Sequence, residues 1–207
     1  VFHVKQPISP SDHVSRETRQ RLQAYADLLT TWNRTINLVA KADIQTLWTR
    51  HIDDALQLIP MLPLGIPYAI DIGSGGGIPG LILAIATGIP FHLIEADHRK
   101  SAFLREAARL CAAPVTVHTC RIEAANVPAA ECVTARALAP LNVLLALAHP
   151  LLSSTGTLIA PKGRGVEAEL TQAAEQWHMR VSRTPSVTDP AATILQISEV
   201  SRVGSHS

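Results

Sequence analysis

Apolar positions along the chain follow two different rhythms, and the change from one to the other divides it. Between His13 and Leu38 they recur as Leu22, Tyr25, Leu29, Trp32 and Ile36, steps of three and four that mark one face of a helix. A second helix is expected from Asp43, a suitable N-cap, with Ile44, Leu47, Trp48, Ile52, Ala55, Leu56 and Ile59 on one stripe and Pro60 as its stop. Together they predict a helical N-terminal extension over residues 1–64. Beyond the Pro- and Gly-rich link Pro60–Tyr68, short apolar runs alternate with helical stretches, the pattern of a parallel sheet with crossover helices. Strands are expected at Tyr68–Ile72, Phe91–Glu95, Val115–His118, Cys132–Arg136 and Thr157–Ala160. Two further runs, Arg180–Val187 and Ala191–Val200, flank a turn at Thr188, Asp189 and Pro190 and read as a hairpin on the sheet edge. Residues 65–207 thus predict an α/β domain around a mostly parallel seven-stranded sheet with an antiparallel finish, and the extension packs on it as one unit.

The longest apolar run, Ala137–Leu152, is too short for a bilayer and is interrupted by Pro140, Asn142, His149 and Pro150, so a buried helix is expected there. The chain begins at Val1, and its first residues lack the basic, apolar, small-residue layout of a signal peptide; a cytoplasmic location with no membrane partner is expected. Aromatic residues make up only 4% of the chain, which leaves the core to Ala, Leu, Ile and Val. Cys111, Cys120 and Cys132 are odd in number and contain no C-x-x-C pair, which predicts buried thiols with no disulfide partner and no metal site. Eighteen Lys and Arg against seventeen Asp and Glu give a net charge of +1, which argues against a binder driven by whole-chain basicity. A local basic patch remains open. Residues after Val200 are polar and expected to fray.

Candidate chemistry concentrates in YAIDIGSGGGIPGLIL, Tyr68–Leu83. Gly73, Gly75, Gly76, Gly77 and Gly80 follow an apolar strand and precede a helix, a turn whose bare backbone can approach a ligand at a helix N-terminus. No G-K-[ST] follows, so a Walker-type phosphate loop is excluded. A dinucleotide site is the rival, since Gly75, Gly77 and Gly80 fit G-x-G-x-x-G and Glu95 stands about 20 residues on, where a ribose carboxylate belongs. Asp71 tips the balance: a carboxylate two residues before the first glycine suits the ammonium and sulfonium of S-adenosylmethionine and repels a pyrophosphate. Glu95 would then accept the ribose hydroxyls. Ile122 and Glu123, in the loop after the third strand, would flank an adenine.

With these motifs and the helices ahead of them, the chain resembles the bacterial 16S rRNA guanine-N7 methyltransferases of the RsmG (GidB) family. The resemblance runs almost end to end. It rests on W-N-R-T-I-N-L (Trp32–Leu38), R-H-I-D-D-A (Arg50–Ala55), D-I-G-S-G-G-G-I-P-G (Asp71–Gly80), E-A-D-H-R-K-S-A-F-L (Glu95–Leu104), R-I-E (Arg121–Glu123), A-R-A-L-A-P-L (Ala135–Leu141) and P-K-G (Pro161–Gly163). It implies a Rossmann-like class I methyltransferase fold, S-adenosylmethionine as methyl donor, and a guanine of 16S rRNA, naked or within the small ribosomal subunit, as acceptor. Carried over by motif, Gly73, Ile78, Ile122, Glu123 and Arg136 would contact the cofactor, with Asp71, Glu95, Gly75 and Gly77 supporting. Ala55 and Ala135 stand where the family usually has Ser, so any bond from those hydroxyls is missing, about 1 kcal/mol apiece.

Guanine N7 carries an in-plane lone pair in the neutral base, so its methylation requires no general base and no metal, and holding N7 in line with the methyl group is the main demand. Arg136 and Lys162 are the candidates for positioning the acceptor. Arg34, Lys41, Arg50 and His51, with Arg136, Lys162 and Arg164 after later strands, could form a basic rim that holds RNA, although His51 also lies on the apolar stripe and fits a core histidine. Asn33 and Asn37 are candidate anchors for the loop between the N-terminal helices. A monomer is expected. Three other readings stay open: a methyltransferase with a small-molecule acceptor, an NAD-binding reductase, and a non-catalytic RNA-binding or assembly protein on the same fold.

Overall fold

The computed structural model describes residues 9–204. The start of the chain, read above for a targeting signal, lies mostly outside them, as do the last three residues. The seven expected strands form a single sheet in the order β3-β2-β1-β4-β5-β7-β6. They are β1 Ala69–Ile72, β2 Phe91–Ile94, β3 Val115–His118, β4 Ala130–Thr134, β5 Leu152–Lys162, β6 Trp177–Pro185 and β7 Thr193–Arg202. Pairing is parallel from β3 through β5 and antiparallel for β5 with β7 and β7 with β6. The hairpin does sit at the edge, with its second strand inserted against β5. Chain direction across the sheet reverses between β1 and β4, the switch point where ligands of open α/β sheets bind.

All four residues of β1 are buried because helices cover both faces. Ala69 belongs to a core with α1 (Arg16–Trp32), α3 (Gly80–Thr87) and α4 (His98–Leu110), while Ile70 and Ile72 face a core with α5 (Leu141–Ala148) and α6 (Val166–Ala174). The α1 stripe falls as its period predicts: Leu22, Tyr25 and Leu29 are fully buried. Ser15 caps the helix by accepting from the Thr18 N–H. Arg21 then latches α1 to α4 by donating to the carbonyls of Cys111 and Ala112 at 2.7 and 2.8 Å, satisfying acceptors at that helix's C-terminus.

Several expectations shift. The second N-terminal helix is broken into a 3-10 stretch Lys41–Thr46, a π turn Trp48–Asp53, the short α2 (Asp54–Leu56) and a 3-10 turn Ile59–Met61. Its polar residues answer to distant partners: Asp53 accepts from the Ser11 N–H, and Asp54 from Thr188 and Gln57. π turns recur where such demands interrupt a helix. Asp43 is no cap but an ion-pair partner of Arg50 at 3.3 Å. In the apolar run only Leu141–Ala148 is α-helical, because Pro140 stands at its N-cap and Pro150 sits in the 3-10 turn that follows. β4 ends at Thr134, two residues early, and β7 continues to Arg202, past the expected fraying point. Cys111 and Cys132 are buried, with burial pushing their thiols up to about 11 and about 12, whereas Cys120 is only half-buried.

Helix α1 also reaches the glycine loop. The Tyr25 hydroxyl, fully buried, donates to the Gly76 carbonyl at 2.7 Å. Tyr25→Phe leaves that carbonyl without its partner, and the expected loss is about 1–2 kcal/mol, read as a fall in Tm of roughly 2–8 °C for a chain of this size. Thermal unfolding at one scan rate measures it.

Candidate functional site

Hydrogen bonds to backbone and to side chains fix the loop after β1. Gly73 and Ser74 donate to the Ile94 carbonyl at 2.9 and 3.1 Å, Gly77 donates to Ser74 at 2.6 Å, Gly75 donates to Glu95 Oε2 at 2.8 Å, and Gly76 receives Tyr25. Gly75 holds φ at +54°, a left-handed conformation that a branched residue resists. Gly80 answers a different need: a Cβ there would lie 2.4 Å from Asp71 Cβ, so its absence lets α3 close on β1. Glu95, 9% exposed at the end of β2, bridges the loop to α4 by also accepting from the Asp97 N–H at 2.8 Å on Oε1. Ile122 and Glu123 begin the 3-10 turn after β3, the first half-buried, the second exposed.

Asp71 and Ile78 lie deeper than their expected roles suggest. The Asp71 carboxylate is 0% exposed; Oδ1 accepts from Thr134 Oγ1 at 2.6 Å, and Oδ2 has no hydrogen-bond partner. Burial raises its pKa to about 6, with the Thr134 bond the largest effect opposing it. It supports the loop from beneath and does not face open solvent. Ile78 keeps its side chain in the core.

Beyond β4 and β5 lies a cavity of about 740 Å³, lined on one side by Arg136–Pro140 and on the other by Pro161–Arg164, with Asp54, Glu169 and the β6–β7 turn completing it. Leu138 is the common wall: it lines this cavity, and its Cδ1 lies 2.5 Å from where a Gly73 Cβ would stand. The glycine loop and the cavity therefore meet across one side chain.

Arg136 projects from the end of β4 with its side chain 20% exposed. Asp54 Oδ2 stands 3.2 Å from Nη1, and Nη2 donates to His51 Nδ1 at 2.6 Å. Asp54 Oδ1 accepts from Thr188 and Gln57, and Gln57 Oε1 accepts from the Val187 N–H, so the β6–β7 turn is tied to the same cluster. Accepting from a guanidinium puts the His51 proton on Nε2, 3.4 Å from Asp43 Oδ2. His51 is thus a buried support for Arg136, 4% exposed, and the rim role gives way to the core alternative. Asn33 anchors the loop after α1 through the Leu38 and Val39 N–H groups at 2.8 and 3.0 Å, while Asn37 is exposed.

Lys162 is also tied down: Nζ donates to the Ala139 carbonyl and to Glu169 Oε2, both at 2.8 Å, with its side chain 10% exposed. Arg34, Lys41, Arg50 and Arg164 remain exposed. Tyr25, Asp54, Gln57, Leu138 and Glu169 were not singled out as site residues. Asp54 and Leu138 lie within quoted motifs, whereas Glu169 carries no local signal.

A glycine loop at the switch point, an acid at the end of β2 and a turn after β3 suit an adenosyl group, and the fold is that of S-adenosylmethionine-dependent methyltransferases. It is shared with a ribosomal protein L11 methylase from Lactobacillus delbrueckii (TM-score 0.59, 17% identity, 72% of this chain and 78% of that one). It is shared too with a Synechocystis magnesium protoporphyrin IX methyltransferase solved with its methyl donor bound (TM-score 0.56, 16% identity, 94% and 99%). Within that class, the profile of the GidB family, rRNA small subunit methyltransferase G, matches residues 18–195, and this chain belongs to that family. Relatives called ribosomal RNA small subunit methyltransferase G are 56% identical in Granulibacter bethesdensis, over 98% of this chain and 100% of the relative, and 56% identical in Gluconobacter oxydans, over 92% and 98%. No helix among the described residues is long and apolar enough to cross a membrane.

Two outcomes are expected. Gly75→Val, strained at positive φ, loses S-adenosylmethionine binding by isothermal titration at least tenfold; unchanged affinity removes the loop from the binding site. His51 has its pKa lowered to about 4 by burial and then by Arg136. Its neutral form stabilises the fold above the ordinary value of 6.5, and that stability is lost as pH falls toward 4. Asp71 runs the other way, its neutral form relieving a penalty below about pH 6. His51→Gln keeps an acceptor for Arg136 but does not titrate, so its denaturation free energy should fall less steeply than wild type between pH 6.5 and 4.

Proposed function

We propose that the chain transfers a methyl group from S-adenosylmethionine to N7 of a guanine in 16S rRNA. The observation that carries this is the shared Leu138 wall, which sets a cavity large enough for a purine beside the glycine loop. Family membership supplies the RNA class. When bound, S-adenosylmethionine supplies an electrophilic methyl carbon on a sulfonium whose C–S electron pair leaves with sulfur. Gly73, Gly75 and Gly77 would bring backbone against the donor, Glu95 would accept its ribose hydroxyls, and Ile122 and Glu123 would flank its adenine. The acceptor N7 uses its own lone pair, so no side chain has to remove a proton before attack. The work left to the protein is alignment and exclusion of water. Arg136, held by His51 and Asp54, stands at the junction of the two sites, where a fixed cation can orient an acceptor oxygen. Arg34, Lys41, Arg50 and Arg164 would hold phosphates, with binding that weakens as salt rises. A cytoplasmic, monomeric enzyme with no metal, its extension over 1–64 packed on a catalytic domain over 65–207, fits this reading.

The test is labelled methyl transfer to 16S rRNA, free and within small subunits, from cells lacking the protein, followed by nucleoside mass spectrometry and mapping of the modified position. One N7-methylguanosine per RNA is expected. Donor binding without transfer leaves a non-catalytic RNA-binding role; label on another atom or base overturns the assignment.

A further inference from the structure

We infer that Glu169 is a specificity-determining residue of the acceptor site, its Oε1 accepting hydrogen bonds from the 2-amino group and adjacent N1–H of the guanine; this rests on the function proposed above. A base delivered to an enzyme outside a helix is read along its Watson–Crick edge. Guanine presents neighbouring N–H donors there, adenine and cytosine pair an amino group with an acceptor, and uracil sets one N–H between two acceptors. An ionised carboxylate only accepts, so it favours the edge that only donates at those two positions.

Three carboxylates line the cavity: Asp54, Glu169 and Asp189. Asp54 has Oδ1 bonded to Thr188 and Gln57 and Oδ2 paired with Arg136. Asp189 caps the exposed β6–β7 turn by accepting from the Ala191 N–H at 2.9 Å. Glu169 differs in how its bonds fall. Both the Leu141 N–H and Lys162 Nζ, each at 2.8 Å, meet Oε2, the two acceptor directions of a single oxygen. Those bonds fix the direction of the carboxylate, and the side chain remains 28% exposed on the cavity wall. Lys162 thus acts on the acceptor through Glu169 as a positioning residue, which accounts for its nearly buried ammonium better than a phosphate contact does.

The experiment compares RNA carrying guanine at the mapped position with RNA carrying inosine there, which keeps N7 and N1–H but lacks the 2-amino group. A site that bonds this group should prefer guanine over inosine by about tenfold or more in kcat/KM. In Glu169→Gln, which keeps an acceptor for Leu141 and about the same volume, that preference should fall to less than about threefold, with S-adenosylmethionine affinity unchanged. Equal preferences in wild type and variant, or none in wild type, overturn the inference while methylation of the guanine RNA leaves the proposed function standing. If wild type methylates neither RNA, both fall. Glu169→Asp, which retains the charge beside Lys162 but withdraws the carboxylate by one methylene, replaces the glutamine variant if that does not fold; wild-type preference in it also overturns the assignment.

Discussion

A guanidinium that is four-fifths buried organises one end of the sheet. Burial lowers the pKa of Arg136, and Asp54 is the largest charge opposing that effect. A buried cation missing its partner is strongly destabilising, so the chain must bring an acid and an acceptor to it. It does so from the N-terminal extension, with His51 and Asp54 on consecutive turns of an interrupted helix. Asp54 then recruits the β6–β7 turn through Thr188. Three segments far apart in sequence are brought to one end of the sheet by the needs of one side chain.

The glycine loop obeys a related constraint, applied to backbone. Its amides and carbonyls are divided between neighbours: Ile94 and Glu95 on the β2 side, Tyr25 from α1. Glu95 ties the loop to the start of α4 with a single carboxylate. Each of its oxygens receives one backbone N–H, and each retains a second acceptor direction. Leu138 packs over Gly73 from the opposite side, from a loop in which Ala137 has φ of +51°. The glycine loop and the cavity are therefore built from the ends of different strands yet separated by one residue's width.

Neighbouring cations also divide into two kinds. Arg136 and Lys162 are nearly buried and hold other groups in place, whereas Arg34, Lys41, Arg50 and Arg164 are exposed. Arg50 of the second kind is paired with Asp43 at 3.3 Å, but that solvent-facing pair gives way to a phosphate at less cost than the buried bonds of Arg136 and Lys162. Residue type and position in a motif did not separate them, because a lysine after a strand end reads the same whether its ammonium meets solvent or a glutamate seven residues later.

By itself the sequence determined the parts that follow from local periodicity and backbone chemistry. Seven strands, the α1 stripe, the edge hairpin and the glycine loop with Glu95 beyond it were all legible, since each depends on residues close together or at a fixed offset. Its motifs also carried the family. Tertiary structure alone decided the broken second helix, the burial of Asp71 and His51, and the partners of Arg136 and Lys162. Those features depend on which polar groups lose water together, and hydrogen bonds such as Thr188 to Asp54, 134 residues apart, leave no periodic trace in the chain.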